Sequence, residues 1–126
     1  MEARVRIQLR WRDMDMLGHL NQSVYHELLE EGRAALFAPL FEQGGWSFVL
    51  VRVELDHRHE VRRDHEHVDI VARVASVGRS SVTVDNQVLL PDGTVAAEGR
   101  AVLVAWDPAA RGSRPVSGDE RALLNG

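Results

Sequence analysis

Two carboxylates, a glycine, a histidine and an amide fall within nine residues, Asp13-Met14-Asp15-Met16-Leu17-Gly18-His19-Leu20-Asn21. An ionised aspartate attacks an acyl carbon or takes a proton from water, and the unpaired amides of a helix start hold negative charge on an oxygen. Glycine lets the backbone approach a ligand closely. Asp, Gly and Asn are also ordinary turn and cap residues, so each alone says only that one element ends and another begins. Asp13 reads as a turn residue, and Asn21 and Gln22 as helix-start residues, Asn21 being a good N-cap. His19 either touches substrate, positions Asp15 or satisfies loop carbonyls. The combination, ahead of a long helical pattern, is what points to acyl transfer.

The elements that must carry this stretch follow from periodicity. Residues 4 to 11 alternate, with Val5, Ile7, Leu9 and Trp11 opposite Arg4, Arg6, Gln8 and Arg10, a half-buried strand. From Asn21 to Phe41 the period becomes helical. Val24, Leu28, Leu36 and Leu40 form one stripe, Tyr25, Leu29 and Phe37 lie beside it, and Glu27, Glu30, Glu31 and Arg33 take much of the remainder. Gly32 fills a stripe position at a cost of about 1 kcal/mol relative to Ala, which implies a close contact between helix and sheet. Pro39 predicts a bend or a short second helix, and Gly44-Gly45 an end to the segment. Strands follow at Trp46 to His57, in a mainly buried pattern, at Val68 to Ala75 and at Val82 to Leu90. Pro91-Asp92-Gly93 is a turn before the strand Val95 to Trp106. Residues 107 to 118 read as a loop and Asp119 to Leu124 as a helical turn. The whole chain, 1–126, is one α+β domain of five antiparallel strands and one long helix. A sheet with so little cover leaves an open edge, and a homo-oligomer is the expected remedy.

Composition narrows the function. The chain is 44% hydrophobic and 27% charged, a folded globular balance, and its net charge of −4 offers no footprint for nucleic acid. All 15 basic residues are Arg, so a Schiff-base Lys is excluded, and the absence of Cys excludes a thiol nucleophile and thiolate metal sites. The N-terminal residues lack an apolar core and no run approaches ~18 apolar residues, so neither export nor membrane spanning is expected and the expected location is cytoplasmic.

The Arg12-x-Asp-x-Asp-x-x-Gly-His-x-Asn-x-x-x-Tyr25 pattern, followed by Leu29-Glu30-Glu31-Gly32-Arg33, resembles the hot-dog fold acyl-CoA thioesterases of the 4-hydroxybenzoyl-CoA thioesterase class. Val77-Gly78-Arg79-Ser80-Ser81, the Asp92-Gly93 turn and Ala96 to Val104 extend the likeness over nearly the whole chain. The resemblance implies a five-stranded antiparallel sheet wrapped around one long central helix. It implies Asp15 as the catalytic carboxylate, an oxyanion hole of backbone amides near Asn21 and Gln22, and active sites at the interface of a dimer or tetramer. It also places Arg79, with Ser80, where relatives contact the phosphate-bearing end of coenzyme A, against the plainer reading of a surface turn. Relatives often carry two Asn where this chain has Asn21-Gln22, and Ala where it has Gly32.

On that reading the substrate is an acyl-CoA or acyl-carrier-protein thioester and no cofactor is expected, coenzyme A being part of the substrate. Direct attack by Asp15 and activation of a water by Asp15 both remain open. The alternative is a hot-dog protein that binds acyl thioesters without hydrolysing them. Glu30 is either an auxiliary carboxylate or a solvated helix charge. His57, His59, His65 and His67 suggest a zinc site by spacing, but their charged neighbours favour a polar turn, and no metal is expected.

Overall fold

The computed structural model describes residues 1–43 and 47–126. In chain order the elements are β1 (Glu2–Gln8), a 3-10 turn (Trp11–Asp13), α1 (Gln22–Glu42), β2 (Phe48–His57), a second 3-10 turn (Arg63–His65), β3 (His67–Val77), β4 (Ser81–Leu89), β5 (Val95–Asp107), β6 (Gly112–Ser113) and α2 (Gly118–Asn125). The five long strands form one antiparallel sheet in the order β1-β3-β4-β5-β2. The sheet wraps around α1, the hot-dog arrangement.

Alternation decides which face meets the helix. Val82, Val84 and Val88 of β4 and Ala97, Ala101, Leu103 and Ala105 of β5 are buried, and they face Val24, Leu28, Leu29, Leu36, Phe37 and Leu40 of α1. Gly32 is where helix and sheet come closest. A Cβ there would stand 2.6 Å from Ile70 Cγ2, so the glycine in the stripe answers to the contact its position implies.

Five expectations need correction. The first strand is Glu2–Gln8 rather than residues 4 to 11, and Trp11, expected on its apolar face, begins the 3-10 turn and is 83% exposed. Pro39 neither bends off a second helix nor ends the first, since α1 runs through it to Glu42. Proline gives up its own donor to the carbonyl four residues before it, a single bond that a 21-residue helix loses close to its end. The expected end at Gly44-Gly45 and the first residue of the strand expected from Trp46 lie outside the described residues. β2 is not mainly buried. It is an edge strand, and Leu50 and Val51 are 46% and 58% exposed. Between Leu50 and Arg52 the register with β5 shifts, as a bulge does on an edge. Arg33 does not belong to the solvent side of α1 and is buried. Lastly, residues 107–118 are not all loop, because Gly112–Ser113 pairs with Trp106 and Asp107, and the final turn is an eight-residue helix. Ser117 and Glu120 form a capping box at its start.

Carboxylates buried against guanidinium groups brace the periphery. Asp69, 5% exposed, accepts from Arg4 Nη2 at 2.7 Å and Arg6 Nε at 3.0 Å. The Arg6 hydrogen bond leads in holding its carboxyl below the usual range, with Arg4 adding and burial opposing. For Asp13 and Glu120 burial is the largest influence and pushes upward, but the hydrogen bonds and charges of Arg10 and Arg114 outweigh it. A carboxyl whose folded pKa is depressed contributes stability that is complete above its unfolded pKa and is lost as pH falls through the folded one. The melting temperature is therefore expected to hold from pH 7 to about 5 and to fall below about pH 4. The fall should be shallower in Asp69→Asn, and an equal slope in both proteins in thermal melts would remove Asp69 from this account.

Candidate active site

The 3-10 turn ends on Asp13, which is 2% exposed and accepts from Arg10 N and Arg10 Nη2, both at 2.8 Å. The carbonyl of Asp13 receives the Asn21 amide at 2.8 Å. Asp13 thus fixes the base of the loop, as its reading as a turn residue anticipates. Met14 and Leu20 bridge to close it. Within the loop Asp15 N donates to the His19 carbonyl at 2.8 Å and Gly18 N to the Asp15 carbonyl at 3.1 Å. Gly18 has φ +76°, a left-handed turn for which glycine is suited.

The Asp15 side chain is exposed and oriented by its own loop. Its Oδ1 accepts from Leu17 N at 2.9 Å and His19 N at 3.1 Å, while Oδ2 has no partner among the described residues. The helix start beside it is equally specific. Asn21 is the N-cap and accepts from Ser23 N at 3.2 Å, and its carbonyl takes Val24 N. With the Asn21 amide held by Asp13, Gln22 N is the amide in this turn that has no acceptor among the described residues. It stands at the positive end of a 21-residue helix dipole.

A cleft of about 380 Å³ brings these groups together, lined by Asp15, His19, Gln22, Tyr25, His57 and Glu60 among others. Its far wall is the segment between β2 and β3. Leu20 N donates to the Val61 carbonyl at 2.8 Å, His19 bridges to Arg62, and His19 Nε2 meets Glu60 Oε2 at 2.9 Å. The Arg62 hydrogen bond first, and the His19 charge less strongly, hold the Glu60 carboxyl below its usual range. Tyr25, buried, sets its ring edge-on to His57 at 4.7 Å, and burial pushes its hydroxyl pKa upward. A free carboxylate oxygen, a free helix-start amide and a polar wall around one cavity suit nucleophilic or water attack on an acyl carbon.

A family model for the thioesterase-like superfamily matches residues 9–122. The chain belongs to that superfamily. A structure described as a predicted thioesterase from Bacillus stearothermophilus superposes on this superfamily member with a TM-score of 0.89 at 25% identity, covering 99% of this chain and 95% of that one. A thioesterase from Thermus thermophilus, complexed with coenzyme A and Zn, gives a TM-score of 0.86 at 30% identity, covering 98% and 97%. The DHNA-CoA thioesterase of Staphylococcus aureus shares the fold alone at 13% identity, with a TM-score of 0.85 and coverage of 98% and 89%. No curated protein matches the chain.

In this thioesterase-like chain Asp15, His19 and Gln22 share the cleft, and Asn21 caps the helix beside it. Arg79 and Ser80 do not join them within one protomer. They occupy the β3–β4 turn, where the Arg79 carbonyl receives Val116 N and the Ser80 carbonyl receives Ala105 N, both at 2.8 Å. The length of β3 separates that turn from the cleft, roughly 35 Å at the rise of a strand. Of the four histidines, His57 packs on Tyr25, while His59 and His65 stand with ring centroids 6.4 Å apart, each with Nδ1 engaged by backbone: His59 Nδ1 contacts the Glu60 carbonyl and His65 Nδ1 accepts from Arg62 N. Among the described residues no group of three His, Cys, Asp or Glu could hold a metal ion, and no helix is long and apolar enough to cross a membrane. Glu60 reads in the sequence only as one of the charged neighbours of the histidines in a polar turn, and its place in the cleft is not foreseen there. Its pairing with His19 spans 41 positions, and no local pattern displays it.

Proposed function

We propose that this protein hydrolyses acyl-CoA thioesters to free acid and coenzyme A, with Asp15 as the acting carboxylate. The observation that carries the reading is the unengaged Asp15 Oδ2 in one cleft with the unengaged Gln22 amide, in a member of a thioesterase-like superfamily. The carbonyl oxygen lies toward Gln22 N and the positive helix end, where charge growing on oxygen is stabilised by about 3 kcal/mol per well-placed donor. Asp15 Oδ2 then either attacks the carbonyl carbon, giving a mixed anhydride that water opens, or takes a proton from a water that attacks. In both cases the C–S bond breaks and the thiolate leaves with a proton. The side-chain amide of Asn21 serves the cap, and His19 holds the Asp15 oxygen through its backbone. A homo-oligomer, dimer or tetramer, covers the exposed β2 edge. A neighbouring protomer's Arg79 and Ser80 turn meets the coenzyme A phosphates, which a guanidinium suits.

The test is coenzyme A release from short, long and aromatic acyl-CoAs by the wild-type protein. Turnover above background on at least one supports hydrolysis. Thermal stabilisation by acyl-CoAs with no thiol released from any of them would replace it by the binding reading. Loss of the Glu60 partner has a smaller effect. Backbone bonds also tether the loop, and half-exposed pairs are weak, so Glu60→Gln should lower kcat/KM by about fivefold at most. A hundredfold loss in that variant would put Glu60 in the chemistry.

A further inference from the structure

Arg33 is 7% exposed, and among the described residues its guanidinium makes no hydrogen bond or ion pair, with Nη1 fully buried. Burial pulls its pKa down, and only the charge of Glu30 pushes back. A guanidinium carries five donors and does not neutralise at ordinary pH, so leaving it bare among apolar groups is among the most unfavourable arrangements a fold can hold. Arg33 opens onto a second groove of about 340 Å³, lined also by Phe37, Phe48, Leu50 and Leu103, with exposed Glu30 at its rim. This groove and the Asp15 cleft are each lined by residues of α1 and β2, with no lining residue in common. Tyr25 against His57 marks the cleft, and Arg33 with Leu50 the groove.

We propose that the groove receives the distal end of the acyl group and that Arg33 binds a carboxylate there. The preferred substrate is then the mono-CoA thioester of a dicarboxylic acid. The inference rests on the hydrolytic reading above. From Gln22 to Arg33 the helix rises roughly 17 Å, less the reach of the arginine side chain, which suits an acyl chain of about eight to twelve carbons. The apolar lining takes the methylene groups, and a carboxylate matches the planar fork of the guanidinium.

The experiment compares decanoyl-CoA with decanedioyl-CoA for wild type and Arg33→Met, following thiol release and the oligomer's mass by size exclusion. Alongside, thermal melts of the wild type with decanoate and with decanedioate read binding without turnover. Wild type should favour decanedioyl-CoA by about tenfold or more in kcat/KM, because a site built for a polar group rejects the analogue lacking it. In Arg33→Met the ratio should fall to about one, and decanedioate should stabilise the wild type more than decanoate does. Equal kcat/KM for the two substrates in wild type overturns the proposal, as does a preference kept by the variant. A variant whose oligomer falls apart while the wild type shows no preference would assign Arg33 to a second copy of the chain instead. If Arg33→Met does not fold, the wild-type ratio and the diacid melt decide. If the wild type hydrolyses neither thioester, the hydrolytic reading fails, and the diacid melt still decides whether Arg33 binds a carboxylate.

Discussion

Asp15→Asn should lower kcat on any turned-over acyl-CoA by about a thousandfold, which is about 4 kcal/mol of transition-state stabilisation. The substitution keeps size and shape, and an amide oxygen still accepts from Leu17 N and His19 N, so the loop should retain its form. What disappears is the negative oxygen now standing free at Oδ2. An amide neither attacks a thioester usefully nor takes a proton from water, so both routes open to Asp15 fail together. The melting temperature should stay within about 2 °C of wild type, because an exposed side chain contributes little to stability. A variant that turns over within threefold of wild type would remove Asp15 from the chemistry.

Gly99→Ala should be the most damaging single methyl group in the fold. A Cβ at Gly99 would lie 1.9 Å from the Glu54 carbonyl oxygen and 2.9 Å from Leu55 Cα, both backbone atoms of β2. Relief requires β2 to move away from β5, breaking register from Phe48 to His57. Overpacking commonly costs 1–3 kcal/mol when side chains can yield; here backbone must, so a loss of about 3 kcal/mol or more is expected, some 15 °C in melting temperature. Gly32→Ala gives the contrast. Its Cβ would meet Cγ2 of Ile70 at 2.6 Å, a methyl on a fully buried β-branched side chain, so overpacking opposes the roughly 1 kcal/mol of helix propensity that alanine recovers, but no backbone atom stands in the way. Melts of the two variants should differ by more than about 10 °C. Equal melting temperatures would mean that β2 is held far less rigidly than its pairing implies.

Local signals were legible in the sequence because their causes are local. The Asn21 cap, the stripe Val24 to Leu40, the alternation of β1 and β4 and the turn after Leu90 each follow from side-chain chemistry within a few residues. The close approach at Gly32 was legible too, since a glycine in an apolar stripe has few other uses. What the pattern hid was long-range. β2 has the apolar run of a central strand, and only the strand order makes it an edge. Arg33 occupies a charged position by type yet points toward β2 and β5. Of the candidate site, the carboxylate loop and helix start were visible as one motif, whereas the wall contributed by His57 and Glu60 depends on how β2 returns past α1. Which of the two helix-start amides is free was also hidden, because it turns on the hydrogen bond from Asn21 N to the Asp13 carbonyl.

The most direct test of the account is a crystal structure of Asp15→Asn with an intact acyl-CoA bound. The thioester carbon should lie about 3–3.5 Å from the side chain at position 15, or one water removed from it, with the carbonyl oxygen within about 3 Å of Gln22 N. A thioester lodged away from this cleft, or one whose carbonyl oxygen points away from the start of α1, would contradict it.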